Sequence, residues 1–134
     1  MDRNESKGEL IVEADMEALR EAAKIVFGAS IKEYVEDGKT IFTFETPLCP
    51  PRIIVEEIKP RKYHITSQSK CSIKDCPYWE RCARIDSERL RTYEIALKRI
   101  LGERVLIESK YKWLPERVRE EEIEKVIDKI IRKK

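Results

Sequence analysis

Residues 30–46 read SIKEYVEDGKTIFTFET, and this stretch predicts a β-hairpin from which the fold class can be worked out. Asp37 and Gly38 form the Asp-Gly pair that favours a type I′ turn, because both residue types tolerate positive φ angles. Strand-forming residues flank the pair on both sides. We therefore predict two antiparallel strands, over residues 31–36 and 39–46.

The rest of the chain alternates between helical and strand-like patterns around this hairpin. The predicted order is a strand over 9–13, a helix over 15–27, the hairpin, an irregular insertion over 47–86 that includes a loop over 61–76, a helix over 87–101, a strand over 105–109 and a helix over 115–134. Without the insertion, this is the split β-α-β order of a ferredoxin-like sandwich. We predict a single α+β domain over residues 1–134, with an inserted Cys-rich metal-binding lobe and an extra C-terminal amphipathic helix.

Composition indicates where such a chain works. Charged residues make up 40% of the sequence, whereas Asn and Gln occur once each, which is typical of a thermophilic source and here favours an archaeal one. No apolar run approaches the length of about 18 residues that a membrane helix needs. The N-terminal MDRNESKGEL lacks the apolar segment of a signal peptide. We therefore predict a cytoplasmic protein that does not contact membranes.

All the cysteines of the chain lie in its middle third, where they suggest one metal centre. They are Cys49, Cys71, Cys76 and Cys82. Clustered cysteines in the cytoplasm usually bind metal or take part in catalysis. One loop and one helical turn can bring the last three thiolates together, and the first arrives from the far end of the insertion. We predict that all four are ligands of one centre.

The spacing favours a [4Fe–4S] cluster over zinc. Structural zinc usually takes two short Cys pairs, and only the gap between Cys71 and Cys76 fits that range. Cys-Pro steps, which occur at Cys49 and Cys76, are familiar beside iron–sulfur ligands. Zinc is the alternative cofactor, and a Cys3His site with His64 is one form of it. Disulfides, which occur in the hyperthermophile cytosol, are the other alternative.

Basic residues are concentrated around the cysteines. Residues 58–84 carry seven Lys or Arg and two Asp or Glu, whereas residues 1–57 are net acidic. Cations interleaved with aromatic rings suit single-stranded RNA or DNA. The same cations would also offset the charge of about −2 that four thiolates leave on either centre, so both interpretations stay open. The predicted nucleic-acid-binding residues are Lys59, Arg61, Lys62, Tyr63, Lys70, Lys74, Trp79, Arg81 and Arg84.

The sequence favours a binding role and leaves enzymatic activity open. It contains no phosphate-binding loop, dinucleotide-binding glycine motif, zinc-protease motif or serine nucleophile motif. A cysteine nucleophile could be activated by a histidine only through His64. The predicted function is a metal-binding accessory subunit that contacts RNA, DNA or a larger protein assembly, and the alternative is an iron–sulfur electron-transfer protein. The Ile/Val face of the C-terminal helix could also form a homodimer seam.

Overall fold

A computed structural model describes residues 8–46, 49–70, 77–102, 107–111 and 125–129, which form a mixed α+β fold. In chain order the elements are β1 Gly8–Glu13, α1 Met16–Phe27, β2 Lys32–Glu36, β3 Lys39–Thr43, β4 Arg52–Lys59, β5 Lys62–Ser67, α2 Trp79–Leu101 and β6 Ile107–Tyr111. A further helical segment, α3, covers residues 125–129. The predicted α+β class is therefore confirmed. Within the described ranges, no helix has the length and apolar character needed to cross a membrane.

The strands form one six-stranded sheet in the order β2-β3-β4-β5-β1-β6. Every neighbouring pair is antiparallel. β1 lies between two strands that come much later in the sequence, with Leu10 opposite Ile65 on one side and Ser109 on the other. The sheet therefore joins the beginning of the described chain to its middle and to its later part.

The hairpin predicted from residues 30–46 is confirmed. Asp37 and Gly38 have φ angles of 52° and 75°, as a type I′ turn requires. Its two strands lie at one edge of the sheet, and all of β2 is exposed. β3 ends at Thr43, earlier than predicted.

The prediction of irregular structure is wrong for residues 52–67. β4 and β5 occupy the middle of the sheet, where Val55 lies opposite Ile65. The prolines in this region suggested a break, but Pro60 lies in the turn between the two strands, where no ladder hydrogen bond is lost. Alternate side chains of β5 are buried, beginning with Tyr63, as expected for a strand with one face against the core. These residues therefore belong to the sheet and not to an insertion.

The core lies between one face of this sheet and the helices. Leu19 of α1 and Tyr93 of α2 are fully buried, and the Tyr93 hydroxyl donates a hydrogen bond to the Leu19 carbonyl oxygen at 2.9 Å. Ile127 of α3 is 1% exposed and belongs to the same core. Arg99 pairs with Asp128, which also holds α3 against α2. The C-terminal helix therefore turns at least part of its apolar face to its own domain.

Candidate metal centre

Cys49 and Cys82 are the predicted ligands that the structure describes, and both are half-buried. Cys49 comes shortly before β4, and Cys82 lies in the first turn of α2, where its amide donates to the Tyr78 carbonyl oxygen at 3.0 Å. Cys71 and Cys76 lie outside the described residues. Among the residues that are described, no three His, Cys, Asp or Glu side chains are grouped so as to hold a metal ion.

Backbone hydrogen bonds continue the β4–β5 pairing beyond both strands, towards Cys49. The Gln68 amide donates to the Arg52 carbonyl oxygen at 3.0 Å, and the Lys70 amide donates to the Pro50 carbonyl oxygen at 2.9 Å. The residue next to Cys49 is therefore hydrogen-bonded to the last described residue before segment 71–76.

The backbone near Cys49 is also held from the neighbouring strand. Thr43, the last residue of β3, is 9% exposed, and its hydroxyl donates to the Pro51 carbonyl oxygen at 2.5 Å. The rings of Pro50 and Pro51, which precede this carbonyl, restrict the backbone further. Together these contacts give the chain that leads out of Cys49 a defined course.

A partly buried polar cluster ties the end of β5 to α2, and we call its four members, Asp86, Arg89, Ser67 and Ser69, the Asp86 cluster. The Asp86 carboxylate accepts hydrogen bonds from the Ser69 amide at 3.1 Å and the Ser69 hydroxyl at 2.8 Å. It also accepts one from Arg89 Nη1 at 2.5 Å, and the same nitrogen donates to the Ser67 hydroxyl at 3.2 Å. Asp86 lies one helical turn after Cys82, so the two side chains share a helix face.

Two consecutive residues therefore connect the two backbone segments that carry the described cysteines, which we call the stems of Cys49 and Cys82. Lys70 bonds to the neighbour of Cys49, and Ser69 bonds to the residue one turn beyond Cys82. The structure thus gathers the chain next to Cys49 and the beginning of α2 at one end of the β4–β5 hairpin. We call this region the cysteine end.

His64 lies away from this end. Its Nε2 is 2.7 Å from Glu9 Oε2, and it faces Ile11 across the β1–β5 pair. Six residues of strand separate it from Lys70, which corresponds to about 20 Å. This position gives no support to the Cys3His alternative.

The predicted basic residues fall into two groups at opposite ends of the hairpin. Lys59, Arg61 and Lys62 surround the β4–β5 turn, where Arg61 Nε pairs with Asp15 Oδ1 at 3.0 Å. The cysteine end has its own group of exposed cations, namely Lys70, Arg81 and Arg84. Strand geometry separates Lys62 from Lys70 by about 26 Å. Lys74 and the Trp79 side chain lie outside the described parts of the chain.

The aromatic residues at the two ends also differ in exposure. Tyr63 is 6% exposed, so its ring has no free face on which a base could stack. Burial raises the pKa of Tyr63, and the nearby Glu57 carboxylate raises it further. Tyr78, which the list of predicted binding residues omitted, is 64% exposed beside Cys82, and Ile85 is 38% exposed one turn further on. The sequence signal for Tyr78 was its place between Cys76 and Cys82, with basic residues nearby.

Comparison with known proteins does not connect this site to any of them. No protein-family model, no curated protein and no solved structure matches the chain. The functional assignment therefore rests on the residues and contacts given above.

Proposed function

We propose that this chain is a metal-binding module with one four-cysteine centre, a [4Fe–4S] cluster, for which zinc is the alternative. The ligands are Cys49, Cys71, Cys76 and Cys82. The observation that supports this proposal is the gathering of the Cys49 and Cys82 stems around Ser69 and Lys70. Metal ligation needs donors that converge on one point, and residues far apart in sequence meet at this end of the hairpin.

The strand register supports bringing Cys71 to Cys49. Lys70 already pairs with Pro50, in the same register as the β4–β5 ladder. Continuing that register by one residue would set position 71 opposite Cys49, and residues opposite each other between antiparallel strands have Cα atoms about 4.5–5.5 Å apart. Two thiolates at that separation can bind one centre.

The beginning of α2 supports the other half of the centre. Cys76 precedes Pro77 and the helix start, where the positive end of the helix dipole stabilises a thiolate. Cys82 lies in the first turn of the same helix. The exposed cations at the cysteine end, Lys70 and Arg81 among them, would offset the negative charge of the centre.

The finer fold assignment belongs to the same proposal. The order β4-β5-β1-β6, with α1 after β1 and α2 between β5 and β6, supports a ferredoxin-like core. In that assignment the β2–β3 hairpin is an addition at the edge. It differs from the sequence-based version, which used β2 and β3 as core strands.

Metal analysis of protein purified without oxygen tests the centre. We expect a brown protein that absorbs near 400 nm and contains about four iron and four sulfide ions per chain. Cys49→Ser and Cys82→Ser should each lose most of the bound metal, whereas Ser72→Ala should retain it. A colourless protein with one zinc ion would favour the alternative cofactor and exclude electron transfer. Two intact disulfides in non-reducing mass spectrometry would overturn the proposal.

We further propose that the module is a cytoplasmic accessory subunit whose cysteine end binds single-stranded nucleic acid. Tyr78 offers an exposed ring at the cysteine end, where Lys70 and Arg81 offer exposed charges. A stacking ring in a region with exposed cations fits bases and phosphates better than it fits an apolar protein surface.

The two basic groups provide a matched test of nucleic-acid binding. The probe is a fluorescent single-stranded RNA, titrated at several salt concentrations. Arg81→Glu should weaken binding and lower the salt slope by about one, whereas Lys62→Glu, at the other end of the hairpin, should leave both unchanged. Equal effects of the two changes would contradict this surface. No binding at low salt, with a reversibly reducible cluster, would favour the electron-transfer alternative.

A further inference from the structure

We propose that Asp86 and Arg89 are positioning residues for the cysteine centre, an inference that rests on the metal-binding function above. They hold the helix turn that carries Cys82 against the ladder end that carries Cys49. They do not ligate the metal themselves, and act by setting the separation of the two stems.

The Asp86 cluster joins α2 to the chain after β5 through a hydrogen-bonded ion pair that is largely shielded from water, and we call this connection the junction. The side chains of Asp86 and Arg89 are 11% and 13% exposed. An ion pair removed from water is costly unless hydrogen bonds satisfy both partners, and an apolar pair would often be as stable. Here the carboxylate is satisfied by Arg89 and by both the amide and the hydroxyl of Ser69. The bond to the amide fixes the backbone and not just a side chain.

The junction lies on the path between the two described cysteines. That path runs from Cys82 along one helical turn to Asp86, then through Ser69 and Lys70 to Pro50 and so to Cys49. Every non-covalent step in it is a hydrogen bond of 2.8–3.1 Å. Metal sites require ligands to be held within about 0.5 Å of their working positions, so a shift at Asp86 would be felt at both cysteines.

α2 also carries a matched control for this junction. Glu94 is a second buried carboxylate, with a side chain 2% exposed that pairs with Arg91 at 2.7 Å and Lys98 at 3.6 Å. Both partners lie on α2 itself, and Glu94 is two turns beyond Asp86. Neutralising Glu94 therefore disturbs a buried ion pair on the same helix without disturbing the junction.

The test compares Asp86→Asn with Glu94→Gln in the full chain. The measurements are the metal content, the resistance of the bound metal to a chelator, and the absorption spectrum, each beside the Tm of the metal-free protein. Asp86→Asn should weaken metal retention about tenfold or more, as changes around metal ligands commonly do, and should alter the spectrum. Glu94→Gln should lower the Tm of the metal-free protein while metal retention and spectrum stay as in the wild type.

The outcomes separate this inference from the function on which it rests. A wild-type protein without metal overturns both. A metal-loaded wild type, together with an Asp86→Asn variant that retains metal equally well, overturns the positioning role alone. If Asp86→Asn does not fold, Ser69→Ala removes a single hydroxyl donor and should still loosen metal retention. Retention equal to wild type in Ser69→Ala would then overturn the inference.

Discussion

At the residue scale, Tyr93 makes a buried polar contact between α1 and α2. Its side chain is fully buried, and its hydroxyl donates to the Leu19 carbonyl oxygen at 2.9 Å. Burial raises the pKa of Tyr93 above its ordinary value, because the charged phenolate would lose its hydration inside the core.

Replacing Tyr93 by Phe should lower the free energy of unfolding by about 1 kcal/mol, because a buried hydrogen bond is lost while the ring is retained. Urea unfolding followed by circular dichroism measures the change. Tyr34→Phe, at a position 38% exposed on β2, is the control and should change stability by less than about 0.5 kcal/mol. Equal effects of the two changes would show that the buried hydroxyl of Tyr93 contributes no more to stability than the exposed hydroxyl of Tyr34.

Glu33 and Arg20 form a bidentate pair, at 2.6 and 3.0 Å, that joins β2 to α1. The hydrogen bond from Arg20 holds the pKa of Glu33 below its ordinary value, against the opposing effect of burial. A lowered folded-state pKa means that the pair contributes stability above the ordinary Glu pKa. This contribution is lost as the pH falls through the folded-state value.

Glu33→Gln should therefore reduce the free energy of unfolding at pH 7, by less than about 1 kcal/mol because both side chains are partly exposed. The difference between variant and wild type should begin to shrink as the pH falls below the ordinary Glu pKa of about 4.3, and should disappear below the lowered folded-state pKa. Unfolding curves recorded from pH 7 downwards to pH 3 measure it. A difference that does not shrink at all over this range would mean that packing, and not charge, explains the effect.

Tyr63 illustrates what the residue pattern could not establish. The KPRKYH stretch correctly indicated a group of cations, but whether Tyr63 faces solvent or core depends on strand parity. Side chains alternate between the two faces of a strand, so the face of Tyr63 can be assigned only once residues 62–67 are known to form one. A shift of the register by one residue would move Tyr63 to the opposite face. For Cys49, by contrast, the proposed role as a ligand was predicted from the residue type and its position among the cysteines. The structure adds the hydrogen bonds that hold the neighbouring backbone.

At the element scale, the β2–β3 turn depends on backbone conformation. Gly38 has a φ of 75°, and a Cβ atom added there would meet nothing within 4 Å. Any loss on adding a side chain is therefore conformational and not steric.

Gly38→Ala should lower the free energy of unfolding by about 1 kcal/mol, because an L-residue is strained in the left-handed region. Asp37→Asn is the matched control and should have little effect, since Asn also tolerates that region. Thermal and urea unfolding of both variants measure the difference. A neutral Gly38→Ala variant would mean that the turn relaxes to another type.

The two hairpins differ in how far their turns could be predicted. Asp37-Gly38 is a strong local signal and was identified. The β4–β5 turn uses Pro60 and Arg61, with Arg61 at a φ of 66°, and neither residue marks a left-handed position in sequence. β4 and β5 are also held by their pairing with β3 and β1, so the hairpin does not depend on a turn with a strong sequence signal. The hairpin therefore could not be found from local pattern alone.

At the scale of the whole molecule, the core and the proposed metal centre are separate. Leu10, Phe42, Ile65 and Leu97 are fully buried between the sheet and the helices, whereas the cysteine end lies beyond the ends of β4 and β5. The domain should therefore keep its fold without metal.

Removing the metal with a chelator should lower the Tm by several degrees while the far-ultraviolet circular dichroism is retained, because ligand binding stabilises only the state that binds it. Adding metal back should restore the Tm. Complete unfolding of the metal-free protein, as in zinc fingers, would contradict a self-sufficient core.

The order of helices and strands was enough to predict the α+β class, but not the sheet. β1 pairs on both sides with strands far away in sequence, and short-range patterns carry no information about such partners.

The position of β1 also has a consequence for synthesis. As the polypeptide leaves the ribosome, Leu10 and Val12 emerge before the two strands that flank them, which include Ile65 and Ser109. Both hydrogen-bonding edges of β1 therefore stay unpaired until these later strands have been translated. Nascent chains with such late closure are the ones that fold slowly and attract chaperones.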